Sequence, residues 1–293
     1  MRIDRWVCHR WPSMSYTALQ RALRKGFIRL EGRRIQAQQR LTEGQEVGLF
    51  QTWLSAFMSH HGSSLPLSPS WRTHLAKSVL YEDDLLLVLN KPQGIAVQGG
   101  SNQRISLDVM VSQWRFPETI RLVHRLDKGT SGVFLMAKTL AVAQALSRSF
   151  SDHQVKKTYW AWVHGMPASQ GRIQEKLLRI PTKVITSDAP EALAALTLYR
   201  RKATKYWKSL PFSWLELFPQ SGRTHQVRVH LQHLGHPILG DALYGDPLKE
   251  MPCATEYPLL HCRAMSFRLG NRDYSFEAPP CSAFLEMAHH FTS

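Results

Sequence analysis

The sequence predicts an α+β fold, and three observations carry that prediction. Strand-like segments follow one another along most of the chain with few helical stretches between them. The helical stretches that do occur are short and amphipathic. Residues 1–55 carry a compact basic pattern of their own, set off by a stretch rich in serine and proline.

In that first unit, Ile3, Trp6 and Val7 sit among Arg2, Arg5 and Arg10 at the spacing of a short amphipathic helix. Ser13 or Ser15 can cap a second helix, which turns Leu19, Ala22 and Leu23 inward and Arg21, Arg24 and Lys25 outward. Gly26 is placed to stop it. Phe27 to Leu30, the Glu31-Gly32 pair and Arg33 to Ile35 read as a hairpin, with a last strand from Glu46 to Phe50. The run from His60 to Ser70 lacks periodicity, so residues 56–75 are assigned as a linker and residues 76–293 as one large domain.

The large domain opens with strands around the acidic turn Glu82-Asp83-Asp84, and Lys91-Pro92-Gln93-Gly94 then breaks the pattern. An apolar lead (Ile120, Leu122, Val123) enters His124-Arg125-Leu126-Asp127-Lys128-Gly129-Thr130-Ser131-Gly132, and a second apolar run, Val133 to Ala137, leaves it. That is strand, polar loop, strand. Leu140 to Phe150 has helical spacing. Thr158 to His164 alternates, with Tyr159, Ala161 and Val163 on one face and Trp160, Trp162 and His164 on the other. Val227, Leu231 and Leu234 share a helical face that Gly235 and Pro237 bring to an end.

Composition narrows the function. With 43% hydrophobic and 10% aromatic residues the chain can bury an ordinary core. The excess of 37 Lys and Arg over 22 Asp and Glu, +15 net, together with the aromatics, points to a nucleic-acid partner. Cys8, Cys253, Cys262 and Cys281 show no metal-binding spacing and read as isolated thiols of a reducing compartment. No apolar run has the length of a membrane span and the start lacks a signal-peptide core, so the expected location is cytoplasmic. His225, His230, His233 and His236 fit no usual ligand pair, and no metal is expected. Neither a G-x-G-x-x-G run nor a P-loop is present, and no cofactor is expected.

Three side chains stand out chemically. Asp127 lies between Arg125 and Lys128 and close to the hydroxyls of Thr130 and Ser131, which suits an ionised nucleophile or charge stabiliser and equally suits a turn cap. Tyr159 opens the alternating strand and offers a flat apolar face and a proton-bearing hydroxyl, or simply a core ring. Arg223 falls near the expected start of a helix, where backbone N–H groups favour an anion.

The loop His-Arg-Leu-Asp-Lys-Gly-Thr-Ser-Gly resembles the signature of the RluA-type pseudouridine synthases, and two downstream stretches match the same family in the same order: Lys157-Thr158-Tyr159 and Gly222-Arg223-Thr224-His225-Gln226-Val227-Arg228-Val229-His230. The Lys91-Pro92-Gln93-Gly94 element resembles it as well, and residues 1–55 resemble the alpha-L module first known from ribosomal protein S-four. Gly129 stands at a variable position of the signature and Cys262 where a small alanine is usual. The resemblance implies a mixed, mainly antiparallel sheet with flanking helices and an RNA cleft, preceded by a small α/β RNA-binding module. It implies catalysis by Asp127, a Tyr159 ring lying against the target uracil, and an Arg223 paired with Asp127. Arg125 would enter the RNA stack as the base leaves, with His124 and Arg228 contacting RNA. Arg21, Arg24 and Lys25 would bind RNA from the N-terminal module. The expected protein is a monomer that isomerises uridine in large-subunit ribosomal RNA, with transfer RNA as the alternative substrate. Two rivals stand beside it: a glycosidase using Asp127 with Asp241, and a non-catalytic RNA-binding ribosome-assembly factor.

Overall fold

The structure, a computed structural model, describes residues 1–11, 16–53, 67–99, 106–115, 120–245 and 255–289. The chain divides into two compact units, Met1–Pro66 and Leu67–Ser293. In the first, helices α1 (Ile3–Arg10) and α2 (Tyr16–Lys25) pack on a small antiparallel sheet, with β1 (Ile28–Leu30) between β2 (Arg33–Arg34) and β3 (Val47–Leu49). Ile3, Val7, Leu19, Ala22, Leu23 and Ile28 form its core, as the spacing predicts. Gly26 ends α2 at φ +73°, a left-handed conformation that glycine adopts without strain. The Ser13 or Ser15 cap and most of the linker from His60 lie outside the described residues.

The linker is shorter than the composition predicts. Ser68 accepts a hydrogen bond from the Trp71 N–H and Pro69 takes the first turn, so α3 (Pro69–Lys77) belongs to the second unit, with Leu75 fully buried. Serine followed by proline is a helix-start signal as much as a loop signal, and burial decides between them.

The second unit is built on an eleven-stranded sheet. Its strands in chain order are β4 (Val79–Glu82), β5 (Leu86–Lys91), β6 (Arg121–Leu122), β7 (Ser131–Ala137), β8 (Lys156–His164), β9 (Gln170–Arg179), β10 (Val184–Thr186), β11 (Leu193–Trp207), β12 (Leu210–Pro219), β13 (Leu260–Leu269) and β14 (Arg272–Glu277). The sheet runs β10-β9-β11-β12-β8-β13-β7-β5-β4, with β14 beside β13 and β6 beside β7. Among the described residues all pairings in this sheet are antiparallel except that of β13 with β7. Helices α4 (Leu107–Trp114), α5 (Leu140–Ser151), α6 (Gln226–His233) and α7 (Ser282–His289) flank it. The fold is thus the mixed, mainly antiparallel α+β arrangement. Helices α3, α4 and α7 are additions to what the sequence pattern predicts.

The alternation of β8 sorts its residues as the pattern requires. Ala161 and Val163 pack with Val227 and Leu231 of α6, while Trp160 and Trp162 pack with Trp214 and with Phe284 of α7. Every residue of β7 is buried. Its neighbour β13 comes so close that a Cβ at Gly132, where φ is +110°, would stand 2.1 Å from the Cys262 carbonyl oxygen. The loop between β6 and β7 is thereby anchored where β7, β13 and β8 meet.

Candidate active site

The loop 124–130 is gripped from below by the Lys91–Gly94 turn. The Gly94 N–H donates to the Lys128 carbonyl at 2.9 Å, and Gln93 Nε2 donates to the carbonyls of Gly129 and Pro258 at 3.1 and 2.9 Å. Lys91, wholly buried, donates through Nζ to the carbonyls of Pro92 and Lys128 at 2.9 and 3.3 Å. Burial pushes its pKa down to about 7, against the opposing pull of the Asp127 carboxylate. The Thr130 N–H closes the turn onto the Asp127 carbonyl at 3.0 Å. Ser131 is tied to β13 through His261, whose Nδ1 lies 2.9 Å from its hydroxyl. His261 Nε2 faces the Ala278 carbonyl at 3.0 Å and must carry the proton, so Nδ1 accepts from Ser131.

Asp127 stands on this platform, about a quarter exposed, at the edge of a cleft of about 430 Å³ lined in part by Arg125, Lys128, His225, Arg228 and Tyr257. Arg228 Nη1 lies 3.3 Å from Asp127 Oδ2. The same guanidinium forks onto Asp241, Nε to Oδ2 and Nη2 to Oδ1, both at 2.7 Å, and its Cζ lies over the Tyr244 ring, 4.9 Å from the centroid. Burial works against the Arg228 charge, yet Asp241 and Asp127 outweigh it and raise its pKa. Asp241 is buried and saturated: Oδ1 also accepts from the N–H groups of Leu243 and Tyr244. A carboxylate so occupied is a structural anchor, and Asp241 is not free to serve as the second acid–base carboxylate that the glycosidase reading required of it.

The pairing of Arg223 with Asp127 is corrected by this geometry. Helix α6 starts at Gln226, so Arg223 lies in the preceding turn and its Nε donates to the Ala194 carbonyl at 3.3 Å. Arg228, on the first turn of α6, is the arginine that reaches the aspartate. The expected role of Arg228 as an RNA contact changes accordingly, because two carboxylates already engage its charge. His124 is corrected too. Its ring stacks against Phe150 and packs on Phe134, and Nε2 accepts from the Leu135 N–H at 2.9 Å. Burial, with help from the nearby Lys157 charge, pushes its pKa down to about 3, so it is a neutral packing residue. Arg125 is exposed at the cleft, free of that inward packing. Arg21, Arg24 and Lys25 are exposed on α2 of the first unit.

Tyr159 sits at the junction of the two main cores. Burial raises its pKa well above the ordinary phenol value; the Cys262 thiol, to which its hydroxyl hydrogen-bonds, adds to this, and so does the Asp127 charge. The phenol therefore keeps its proton at neutral pH. Cys262, also raised to about 12 by burial, is a hydrogen-bonding thiol and no nucleophile.

Sequence reasoning missed His225. It caps α6 in a left-handed conformation, φ 54°, which turns its ring to the cleft: Nδ1 meets the Tyr244 hydroxyl at 2.8 Å and Nε2 comes to 3.7 Å from Asp127 Oδ1. Burial lowers its pKa despite the opposing Asp127 charge, which keeps the ring neutral beside the carboxylate. The other three histidines of that run have separate partners, Thr197 for His230, Glu175 for His233 and the His164 carbonyl for His236.

A broad sheet carrying a cleft-edge aspartate held by Arg228, a buried tyrosine that feels its charge and an exposed arginine at the cleft suits an enzyme that works on a base of a polyanionic chain. Comparison with known proteins gives the family. Residues 85–233 match the family model described as RNA pseudouridylate synthase. The ribosomal large subunit pseudouridine synthase C of Buchnera aphidicola subsp. Schizaphis graminum is 31% identical over 91% of this chain and 85% of its own length. That of Vibrio cholerae is 33% identical over 84% of this chain and 77% of its own. Among solved structures, human RNA pseudouridylate synthase domain containing 1 aligns with a TM-score of 0.60 and 27% identity over 69% of this chain and 82% of that one. The chain belongs to the RNA pseudouridylate synthase family, in its RluA-type branch, and is an isomerase of RNA uridines.

Proposed function

We propose that this enzyme converts uridine to pseudouridine in large-subunit ribosomal RNA, acting as a monomer in the cytoplasm, with Asp127 as its catalytic carboxylate. The relatives' names supply the substrate. The observation that carries the assignment of the carboxylate is the contrast between the two aspartates bound by Arg228. Asp241 has every oxygen committed inside the protein, whereas Asp127 turns toward the cleft with one oxygen held and the other near His225.

The reaction breaks the bond between ribose C1′ and uracil N1, turns the base, and joins C1′ to C5. The C5 proton leaves and N1 gains one, so no electrons enter or depart. An ionised carboxylate is what the first step demands, as a nucleophile or as the counter-charge to the reacting sugar. The Arg228 contact orients it. Exposing the base from folded RNA costs about a few kcal/mol, and Arg125, flat and cationic, suits the vacated place in the stack. Tyr159, protonated at neutral pH, offers its ring to the base and its hydroxyl to proton transfer.

Mapping pseudouridines in ribosomal and transfer RNA from cells with and without the gene tests the substrate: at least one large-subunit site should disappear. Loss confined to transfer RNA would overturn that part. Purified Asp127→Asn, isosteric and uncharged, should bind RNA within a few fold of wild type and form no pseudouridine; turnover at a comparable rate would remove Asp127 from the mechanism.

A further inference from the structure

The β11–β12 hairpin carries a charge distribution that the catalytic cleft does not account for. Between Ala192 and Leu215 there is no Asp or Glu, while Arg200, Arg201, Lys202, Lys205 and Lys208 fall within a short run that also holds Tyr206 and Trp207. The nearest acid, Glu216, is bound by Arg200 and by Trp160 Nε1. Lys208 and Ser209 form the turn, both with positive φ, and Lys208 lies 4.5 Å from the centre of the Trp207 ring.

Register decides which of these groups look toward the reaction. Leu215 and Leu217 of β12 share the sheet face of Tyr159, Ala161 and Val163. Arg201 pairs with Leu215, Thr204 with Ser213 and Tyr206 with Pro211. In a regular strand Arg201 and Tyr206, an odd number of residues apart, would project from opposite faces. A bulge between Arg201 and Ala203 inserts Lys202 and resets the alternation, so Arg201, Thr204 and Tyr206 all emerge on the Tyr159 side. Arg201 Nη1 donates to Thr204 Oγ1 at 2.6 Å, which the shared face permits. Lys205 pairs with Phe212 and projects from the other face, with Arg172 and Lys176 of β9. Tyr206 is 59% exposed, and so are its neighbours Met166 (53%) and Leu210 (46%). Pro211 and Leu217 are six residues apart along β12, so Tyr206 lies roughly 20 Å from Tyr159 along the sheet. That is too far to touch the target base and near enough to meet the same RNA beyond it.

We propose that the end of this hairpin is a second RNA-contact surface: Arg201, Lys202 and Lys208 meet backbone phosphates and Tyr206 gives an unpaired flanking base a ring to stack on. This deepens the reading of the enzyme as a ribosomal RNA synthase and rests on it. Cations interleaved with an exposed aromatic on one strand are the combination that single-stranded RNA recognises. The bulge is the device that brings charge and ring to one face.

The test compares two triple variants of equal net charge in the full-length enzyme. One is Arg201→Glu, Lys202→Glu, Lys208→Glu, and the other, on the far face, is Arg172→Glu, Lys176→Glu, Lys205→Glu. With an in vitro transcript of large-subunit ribosomal RNA, the first should raise KM by about tenfold or more and leave kcat near wild type. It should flatten the plot of log affinity against log salt by roughly 2, at about 0.7–0.9 per lost phosphate contact. The far-face triple should change neither quantity by more than about twofold. Tyr206→Ala should raise KM, and Tyr206→Trp should restore it. Equal effects of the two triples would reduce the surface to net charge and overturn the proposal, as would a hairpin-end triple (Arg201, Lys202, Lys208) with wild-type KM. Wild-type protein that binds phosphatidylglycerol vesicles through these residues, with RNA affinity untouched by their reversal, would assign the surface to lipid instead. If the wild type modifies only transfer RNA, the substrate reading fails separately, and the surface is judged by the same two triples on that RNA.

Discussion

Replacing Arg228 by lysine keeps a positive charge in place and removes the fork. Three guanidinium nitrogens are in use, two on Asp241 at 2.7 Å and one on Asp127 at 3.3 Å. An ammonium cannot span both carboxylates in that geometry. It will stay with Asp241, whose side chain is fully buried and whose desolvated charge has the most to lose, and will release Asp127, which is about a quarter exposed and can turn to water. The lost contact is one charge-assisted hydrogen bond, worth about 1.5–3 kcal/mol. If the reaction needs Asp127 held, kcat should fall by about 10- to 100-fold, at about 1.4 kcal/mol per factor of ten. Arg228→Ala is the poorer experiment, since orphaning Asp241 would cost about 3–5 kcal/mol of stability and confound the rate. Arg223→Lys is the control: the Ala194 carbonyl can be met by an ammonium, and activity should stay within about twofold. Release of tritium from RNA labelled at uridine C5 measures both rates. An Arg228→Lys enzyme at full rate, or an Arg223→Lys enzyme that is dead while folded, would refute the reasoning.

Tyr159→Phe keeps the ring and deletes the hydroxyl; if that hydroxyl moves a proton, turnover drops by about a hundredfold or more with KM little changed, and a wild-type rate would make Tyr159 a packing residue. Lys91 gives a pH prediction. Its folded pKa, about 7, lies below the unfolded value of 10.5, so between these limits the unfolded chain holds the extra proton and stability rises with pH; as pH falls through 7 that contribution is lost. Relative to Lys91→Met, the wild type should therefore gain up to about 1.4 kcal/mol per pH unit from pH 7 upward, read from urea midpoints across that range, and parallel curves for the two proteins would dispose of the buried-ammonium argument.

Much of this was legible in the sequence, for reasons that differ by element. The two faces of β8 follow from period-two alternation, and the loop 124–132 from glycines between two apolar runs. The N-terminal core follows from helical spacing at Ile3, Val7, Leu19 and Leu23. What escaped was long-range. Strands β9 to β12 are partly solvent-facing, so their residues mix polar and apolar types and blur the period. The bulge at Lys202 breaks the alternation outright. Choosing between Arg223 and Arg228 required the first residue of α6, and helix ends are the least certain feature of a sequence pattern. His124 is expected at the RNA because nothing local reveals the rings of Phe134 and Phe150 packed against it. Lys91 looked like half of a turn signal, when it is a buried ammonium underneath the loop.

These misreadings share a physical cause that bears on how the site works. Around Asp127, the groups that sequence would count as charged are largely neutral or already spoken for: His124 and His225 are held neutral by burial, Lys91 is poised near pH 7, and Arg228 is divided between two carboxylates. Among the described residues the aspartate therefore has a single firm cationic contact, at 3.3 Å, longer than either bond to Asp241. With Asp127 as the proposed catalytic carboxylate, a tighter bidentate hold would restrict its movement with the sugar or base, and no hold would leave it to wander. Committing the strong end of the arginine fork to Asp241 fixes the guanidinium and leaves the looser contact to Asp127. Asp241 thus acts through Arg228, and the buried pair sets how firmly Asp127 is held.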